Sequence, residues 1–212
     1  MSSNAATRVL IVDDHAMVRL ALSEAIGRHN DLKLVGEAEN GAQALDLCRK
    51  LRPDVITMDY RLPDRDGDEV IAAIKAEFSD IRIMLLSIFE NEECLHRATL
   101  AGALGCVSKG AEIDEVIIGI RAASRGEAYF SEGLAEKLDE RRKREDLSPR
   151  ELDVLTQLVA GLSNKEISSA LHMAGSTVKH HLERISAKLG TQDRTQAVTA
   201  AVQRGIVRLD ER

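Results

Sequence analysis

The sequence predicts an α/β fold, with a doubly wound parallel sheet of five strands, followed by a small all-α domain. In the first 126 residues, short apolar runs alternate with longer stretches of helical periodicity. The runs are continuously apolar, as is typical of parallel strands covered by helices on both faces. No strand pattern follows residue 131. In such a sheet a ligand site lies beyond the carboxyl ends of the strands.

The first part of the chain contains the strands and the helices between them. Five apolar runs predict the strands, at Val9–Val12, Leu32–Val35, Val55–Met58, Ile81–Leu86 and Leu104–Val107. Between them, apolar residues recur on one helical face, in stripes that include Leu22, Leu45, Ile71 and Ile117. The pattern therefore alternates strand and helix along the whole of this part.

A charged stretch, "SEGLAEKLDERRKRED", separates the two parts and predicts a linker that contains a solvated helix. After it, Ser148, Pro149 and Glu151 occupy the N-cap, first and third positions of a new helix, the pattern of a capping box. Further helical patterns follow at approximately 163–171, 174–189 and 193–205. We therefore divide the chain into a first domain at 1–128, a partly helical linker at 129–146 and a second domain at 147–212.

Composition and charge limit the class of protein. The net charge of −6 is uneven: residues 1–130 hold 15 basic and 22 acidic residues, whereas residues 131–212 hold 14 and 13. Two domains with different partners fit this asymmetry. No apolar run approaches the roughly 20 residues of a membrane span, and no signal-peptide pattern begins the chain. Cys48, Cys94 and Cys106 are scattered, without disulfide or zinc spacing. We expect a cytoplasmic protein without a membrane partner.

Polar side chains follow several predicted strands. Asp13 and Asp14 end the first, Asp59 the third and Ser87 the fourth, and Lys109 follows the fifth. Each alone is more simply a helix cap, a loop hydroxyl or a surface charge, but the sheet brings all of them to one edge. Neighbouring carboxylates repel one another unless a cation compensates, and Mg²⁺ prefers such oxygen ligands. A carboxylate beside Mg²⁺, a lysine and a hydroxyl is equipped to accept a phosphoryl group.

The motifs "VDDH", "MDYRLPDRDG", "LLS" and "SKG", in this order and at these intervals, resemble the receiver domain of two-component response regulators over residues 8 to about 128. The resemblance implies a flavodoxin-like sheet in which Asp59 is the phosphoacceptor. It also implies that Mg²⁺ is held by Asp14, Asp59 and the backbone carbonyl of Arg61, with Asp13 acting partly through water.

The same resemblance implies the roles of Ser87, which bonds a phosphoryl oxygen in the active form, and of Lys109, which pairs with the phosphoryl group. Two positions depart from the family. Cys106 stands three residues before the lysine, where the family usually carries a switch Tyr or Phe, so we expect coupling from phosphorylation to be rearranged or weaker. Phe89 either shields the phosphoryl group from water or caps the sheet edge.

Residues 161–190 predict a helix-turn-helix, with a short helix, a tight turn at His172–Gly175 and a longer second helix. The apolar stripe of the second helix consists of Val178, Leu182, Ile185 and Leu189. Its opposite face is polar and begins at Ser176, as expected of a helix that enters the major groove.

The stretches "LSPRELDVLTQLVAGLSNKEIS", "STVKHHLERISAKLG" and "DRTQAV" resemble the LuxR-type helix-turn-helix over roughly 147–208, so that the whole chain is similar to a NarL/FixJ-type response regulator. The resemblance implies that Lys179, His180 and Glu183 face base edges. The candidates for phosphate contacts are Lys165, Thr177, His181, Arg184 and Lys188. Glu183 departs from the neutral or basic residue common in the family; it either accepts from cytosine or lowers affinity. For His180 a plain surface role is the alternative.

Together these resemblances imply a transcription regulator rather than a dedicated enzyme. A sensor histidine kinase would phosphorylate Asp59, and the active homodimer would bind double-stranded DNA. One alternative is an aspartyl-phosphate hydrolase of the haloacid dehalogenase kind, but that class needs an acid where this chain has Arg61. The other is a phosphorylation-independent DNA-binding regulator whose receiver is a protein-interaction module, an alternative that Cys106 leaves open.

Overall fold

The computed structural model describes residues 5–87 and 92–207. The chain divides into two compact units: the first ends at Leu138, and the second is formed by the residues from Asp139 onward together with Glu92 and Glu93. Among the described residues, no helix combines the length and the apolar character that crossing a bilayer requires.

The first unit is a five-stranded, all-parallel sheet in the order β2-β1-β3-β4-β5. The strands are β1 (Thr7–Val12), β2 (Leu32–Ala38), β3 (Val55–Asp59), β4 (Arg82–Ser87) and β5 (Gly105–Ser108). The helices between and after them are α1 (Ala16–Gly27), α2 (Gly41–Leu51), α3 (Gly67–Glu77), α4 (Glu92–Ala101) and α5 (Ile113–Ser124). The predicted doubly wound sheet is confirmed.

The core lies on both faces of the sheet. Along β1, Leu10 packs into the cluster on one face, whereas Val9 and Ile11 pack into the cluster on the other. Burial on both faces explains why the strands are continuously apolar. The sequence predicted no apolar helical stripe for α4. The buried face of this helix consists of small or isolated apolar residues, Cys94, Leu95 and Ala98.

The segment after α5 belongs to the first unit. The N–H of Cys106 donates to the Tyr129 carbonyl at 2.9 Å, and the N–H of Ser131 donates to the Cys106 carbonyl at 3.0 Å, so this segment pairs along β5. A Cβ at Gly105 would lie 1.9 Å from the Tyr129 carbonyl oxygen, so only glycine permits this approach.

The next helix, α6 (Leu134–Arg142), continues this packing. Leu134 and Leu138 are only 3% and 2% exposed and belong to the core of the first unit. The prediction of a solvated helix is therefore wrong for this face, because two leucines one turn apart find an apolar surface to cover. The domain limits at 128 and 146 stay a prediction.

The packing of α6 can be tested with Leu138→Ala. We expect this change to lower the free energy of unfolding of the first unit by about 2–5 kcal/mol, because it removes buried methyl groups and leaves a cavity. Leu100→Ala is the control, because Leu100 is 73% exposed on α4. Both tyrosines precede Asp139 and the chain has no Trp, so tyrosine near-UV circular dichroism during urea unfolding follows the first unit alone. Equal unfolding midpoints for the two variants would contradict the packing.

The second unit is helical throughout the residues described. Its helices are α7 (Pro149–Val159), α8 (Asn164–Ala170), α9 (Gly175–Leu189) and α10 (Arg194–Gln203). The predicted capping box is present: the Glu151 N–H donates to Ser148 Oγ at 3.3 Å and the Ser148 N–H donates to Glu151 Oε2 at 2.8 Å. The apolar stripe of α9 faces the core, with Val178 and Ile185 fully buried. The predicted helical second domain is confirmed.

Candidate functional site

Two buried carboxylates and one ammonium group meet at the carboxyl ends of the strands. Lys109 Nζ lies 2.7 Å from Asp13 Oδ2 and 2.6 Å from Asp59 Oδ2. The side chains of Asp13 and Asp59 are 0% and 5% exposed, and that of Lys109 is 9% exposed. The parallel topology thus brings together residues that are far apart in the sequence, as the strand ends predict.

Two neighbours extend the cluster toward solvent. One ligand atom each from Asp13, Asp14, Asp59 and His15 lies within 4.8 Å of the others. Asp14 is more exposed, and its Oδ1 is 2.6 Å from His15 Nδ1. The cluster holds three carboxylates and a single ammonium group, so this oxygen-rich donor set has excess negative charge and suits a hard divalent cation. Sequence reasoning missed His15, although "VDDH" contains it.

Two opposing effects act on the pKa of the Asp59 carboxyl. Burial raises the pKa of the Asp59 carboxyl, and the hydrogen bond from the Lys109 ammonium opposes that rise without cancelling it. The N–H of Arg61 also donates to Asp59 Oδ1, at 3.4 Å. A carboxylate with a raised pKa is a better nucleophile when it is ionised, and the Lys109 ammonium favours the ionised form.

Ser87 and Cys106 lie on the two strands beside this cluster. Ser87 is buried at the end of β4, and its carbonyl accepts the Lys109 N–H at 3.0 Å. Cys106 is buried in β5 and forms a bridge with Phe130, which packs against the core cluster that contains Cys106. Phe130 therefore supplies aromatic packing beside the position where the family carries its switch residue. Phe89 lies outside the described residues.

The second unit presents a polar face on and beside α9. Most side chains predicted to contact DNA are exposed there: Lys165, Ser176, Thr177, Lys179, His180, Glu183 and Arg184. His181 is partly buried. Lys179 Nζ lies 4.0 Å from Glu183 Oε1, one turn along α9, and both side chains are exposed. A positive and a negative side chain therefore lie next to one another on this face.

Lys188 differs from these residues in that its ammonium group is already paired within the second unit, and its phosphate contact stays a prediction. Its side chain is 9% exposed, and its Nζ lies 2.9 Å from Glu151 Oε2 and 3.0 Å from Glu145 Oε1. It also donates to the Asp146 carbonyl at 2.8 Å. Two carboxylates and a carbonyl therefore already compensate the charge of this ammonium group.

Glu151 is a residue whose importance the sequence only partly indicated. Besides closing the capping box, its fully buried carboxylate lies 3.1 Å from Arg184 Nε through Oε1. It thus joins α7 to two cations of α9. The capping pattern in the sequence identified the local role of Glu151 and gave no signal for the contact between helices.

A sheet of this topology with an acidic cluster and a lysine at its carboxyl edge defines a receiver, and the comparison with family models agrees. The model "Response regulator receiver domain" matches residues 9–121, and "Bacterial regulatory proteins, luxR family" matches residues 145–201. The chain belongs to the two-component response regulators, as a transcription regulator that joins a receiver to a LuxR-type DNA-binding domain.

Individual relatives agree with this assignment. Response regulator protein VraR of Staphylococcus aureus is 36% identical over 205 residues, which cover 94% of this chain and 98% of that protein. The crystal structure of response regulator ChrA, of a heme-sensing two component system, is 31% identical with a TM-score of 0.56 and covers 95% of this chain and 99% of that one. RcsB from Salmonella enterica serovar Typhimurium, bound to promoter P1flhDC in the presence of phosphomimetic BeF3-, shares the fold at 23% identity, with a TM-score of 0.73 and coverage of 93% and 98%.

Proposed function

We propose that phosphorylation of Asp59 by a sensor histidine kinase controls dimerisation and sequence-specific DNA binding by this chain in the cytoplasm. The observation that carries the proposal is the buried Lys109 ammonium, which joins Asp59 to Asp13 at the edge of the sheet. A carboxylate oxygen of Asp59 attacks the phosphorus, an acyl-phosphate P–O bond forms, and the P–N bond to the kinase histidine breaks. The histidine keeps the electron pair and takes up a proton.

The residues around Asp59 fit this transfer. Asp13, Asp14, Asp59 and the Arg61 carbonyl would hold Mg²⁺, which when bound neutralises charge on the phosphoryl oxygens. Lys109 pairs with the new phosphoryl oxygens. The Ser87 hydroxyl donates to one of them in the active form. Water slowly hydrolyses the acyl phosphate: the bond between the phosphorus and the Asp59 oxygen breaks, and inorganic phosphate and the free carboxylate are released. The phosphorylated state is therefore reversible without a dedicated enzyme activity.

The output lies on α9. In the proposed complex Lys179, His180 and Glu183 face base edges, Thr177 and Arg184 contact phosphates, and the remaining candidates complete the interface. These are Lys165 and His181 at phosphates and Ser176 at the start of the helix. RcsB has been solved on promoter DNA, which supports the same use of this fold. A homodimer, helped by α10, would hold two half-sites about one helical turn (~34 Å) apart.

The test uses the full chain with and without beryllofluoride and Mg²⁺, which together mimic an aspartyl phosphate. DNA sites selected from a random pool serve as the probe, and mass and DNA affinity are measured on one sample. We expect the mimic to shift the mass to a dimer and to tighten specific binding. Unchanged mass and affinity would refute phosphorylation control and would favour the alternative in which the receiver is a protein-interaction module, since Cys106 replaces the switch aromatic.

The two kinds of DNA contact can be separated by their effects. We expect Lys165→Ala to weaken binding similarly on all sequences and to reduce the slope of log affinity against log salt by about 1, because it removes one phosphate contact. Lys179→Ala should instead cost about 1–3 kcal/mol on the selected site alone and relax its sequence preference. Fluorescence anisotropy at several salt concentrations measures both. Lys33→Ala, an exposed lysine of β2, is the control. The assignment of roles fails if the two variants behave alike.

A further inference from the structure

Arg19 is a buried cation that the proposed phosphoryl transfer does not use. It lies on α1 with 9% of its surface exposed. Its Nη1 donates to the Asp13 backbone carbonyl at 2.8 Å, and its Nη2 donates to Glu39 Oε1 at 2.5 Å. Its Nε is 3.4 Å from Glu37 Oε2. A buried charge persists only where its partners compensate desolvation, and these partners lie at the carboxyl ends of β1 and β2.

These contacts hold the peptide unit that joins Asp13 to Asp14, the two neighbouring residues that supply carboxylates to the site. The Asp13 N–H donates to the Ala38 carbonyl at 3.0 Å, so with Arg19 on its carbonyl the backbone of Asp13 is held on both sides. The Asp13 carbonyl and the Asp14 N–H belong to one planar peptide unit. The guanidinium therefore sets the plane in which the chain leaves β1 and, through it, the direction of Asp14.

The side chain of Asp13 is also held by two contacts, and neither of them comes from Arg19. Its Oδ1 accepts the His15 N–H at 3.0 Å and its Oδ2 meets Lys109. The planar fork of arginine can hold a carbonyl and a carboxylate in two directions at once, which a lysine ammonium on a flexible stem does less well. Arg19 touches none of the reacting atoms, so any effect it has on the site passes through the Asp13–Asp14 peptide.

We propose that Arg19 is a positioning residue for the divalent cation site, holding the Asp13–Asp14 peptide so that both carboxylates face the cation. The proposal rests on the proposed function, because it presumes that the cluster holds Mg²⁺. Loss of a partner that orients a metal ligand typically costs 10–100-fold in metal affinity. We therefore expect Arg19→Met to weaken binding of the cation about tenfold or more, and Arg19→Lys to have a smaller effect.

The experiment measures binding of Mg²⁺ by calorimetry and of Mn²⁺ by electron paramagnetic resonance, on the full chain without a phosphodonor. Glu39→Gln separates the two roles of Arg19, because it removes the ion pair across to Glu39 and leaves the bond to the Asp13 carbonyl. Arg28→Met is the matched control, since Arg28 is exposed at the end of α1. Both should bind the cations within about twofold of wild type, and each variant's melting temperature is recorded alongside.

The outcomes are distinct. Wild-type affinity in Arg19→Met together with a lower melting temperature would overturn the proposal and leave Arg19 a purely structural residue. Weakening in Glu39→Gln equal to that in Arg19→Met would overturn it too, because the ion pair would then matter and not the carbonyl. If Arg19→Met does not fold, the cation affinity of Arg19→Lys is compared with that of Glu39→Gln instead. The proposal then requires that Arg19→Lys bind the cations more weakly than Glu39→Gln. Failure of the wild type to bind either cation would instead refute the magnesium site of the proposed function, and the role of Arg19 with it.

Discussion

We expect Asp59→Asn to abolish phosphorylation of this chain and every effect of beryllofluoride on its mass and DNA affinity. An amide in place of the carboxylate is not nucleophilic enough to attack phosphorus, and it removes one of the two anions that face Lys109. The full chain is incubated with Mg²⁺ and a small phosphodonor such as phosphoramidate. Intact-protein mass spectrometry then measures the added phosphoryl group.

Asp46→Asn is the matched control, because Asp46 is exposed on α2 and pairs with Arg49 on the same helix, outside the acidic cluster. It should be phosphorylated like the wild type. A phosphoryl group that persists on Asp59→Asn would place the acceptor elsewhere in the cluster, with Asp13 or Asp14 as the nearest carboxylates. Tyrosine near-UV circular dichroism, compared between the two variants, establishes that the first unit is folded in both.

The second large effect is expected from Glu151→Ala, which should destabilise the second unit by about 3–5 kcal/mol. The change leaves Arg184 and the partly buried Lys188 without their shared carboxylate and removes half of the capping box of α7. Both tyrosines lie in the first unit, so tyrosine signals do not report the stability of the second. Hydrogen exchange followed by mass spectrometry on peptides from α7 to α10 measures the second unit separately. Binding to the selected DNA site should fall in proportion to the unfolded fraction.

The control for this change is Glu145→Ala. Glu145 pairs with the same Lys188 ammonium but its own side chain is 72% exposed, so its loss should cost less than about 1 kcal/mol. If the amides of α9 are equally protected from hydrogen exchange in Glu151→Ala and Glu145→Ala, the buried carboxylate is not what holds the helices together.

Glu151 also predicts how the second unit responds to acid. Burial alone would raise the pKa of Glu151, but hydrogen bonds from the Lys188 ammonium and the Ser148 N–H outweigh it and lower the pKa from 4.5 to about 2. The unfolded chain therefore binds this proton more readily than the folded one. The stability that ionised Glu151 contributes is fully present above pH 4.5 and is lost as the pH falls toward 2. Glu151→Ala should lack this part of the acid dependence.

The elements that the sequence predicted well are those with a strong local pattern. Continuous apolar runs located all five strands, and parallel strands place their carboxyl ends together, so Asp13, Asp59 and Lys109 were predicted to meet although 96 positions separate the first from the last. The convergence depends on topology alone, and no side-chain detail was needed for it.

What the sequence missed depends on surfaces that form only in the folded chain. Lys188 lies on a flank of α9 that looks solvated until Glu151 of another helix is placed beside it. Leu134 and Leu138 lie in a stretch so rich in charge that the two leucines alone do not indicate a buried face. They become core residues only because the first unit offers an apolar surface for them to cover. The contacts of Arg19 likewise depend on the fold, because its partners Asp13 and Glu39 directly follow β1 and β2.

The pairing of Tyr129–Ser131 along β5 has a consequence for self-association. The last strand of a sheet normally exposes N–H and C=O groups that can template pairing with another molecule and lead to aggregation. Here Cys106 has both of its outward backbone groups occupied by the chain itself. A receiver fragment that stops at residue 128 would uncover this edge and the apolar surface under Leu134 and Leu138 together. A fragment carried through Leu138 would keep both covered, and so is the form to use when the receiver is prepared alone.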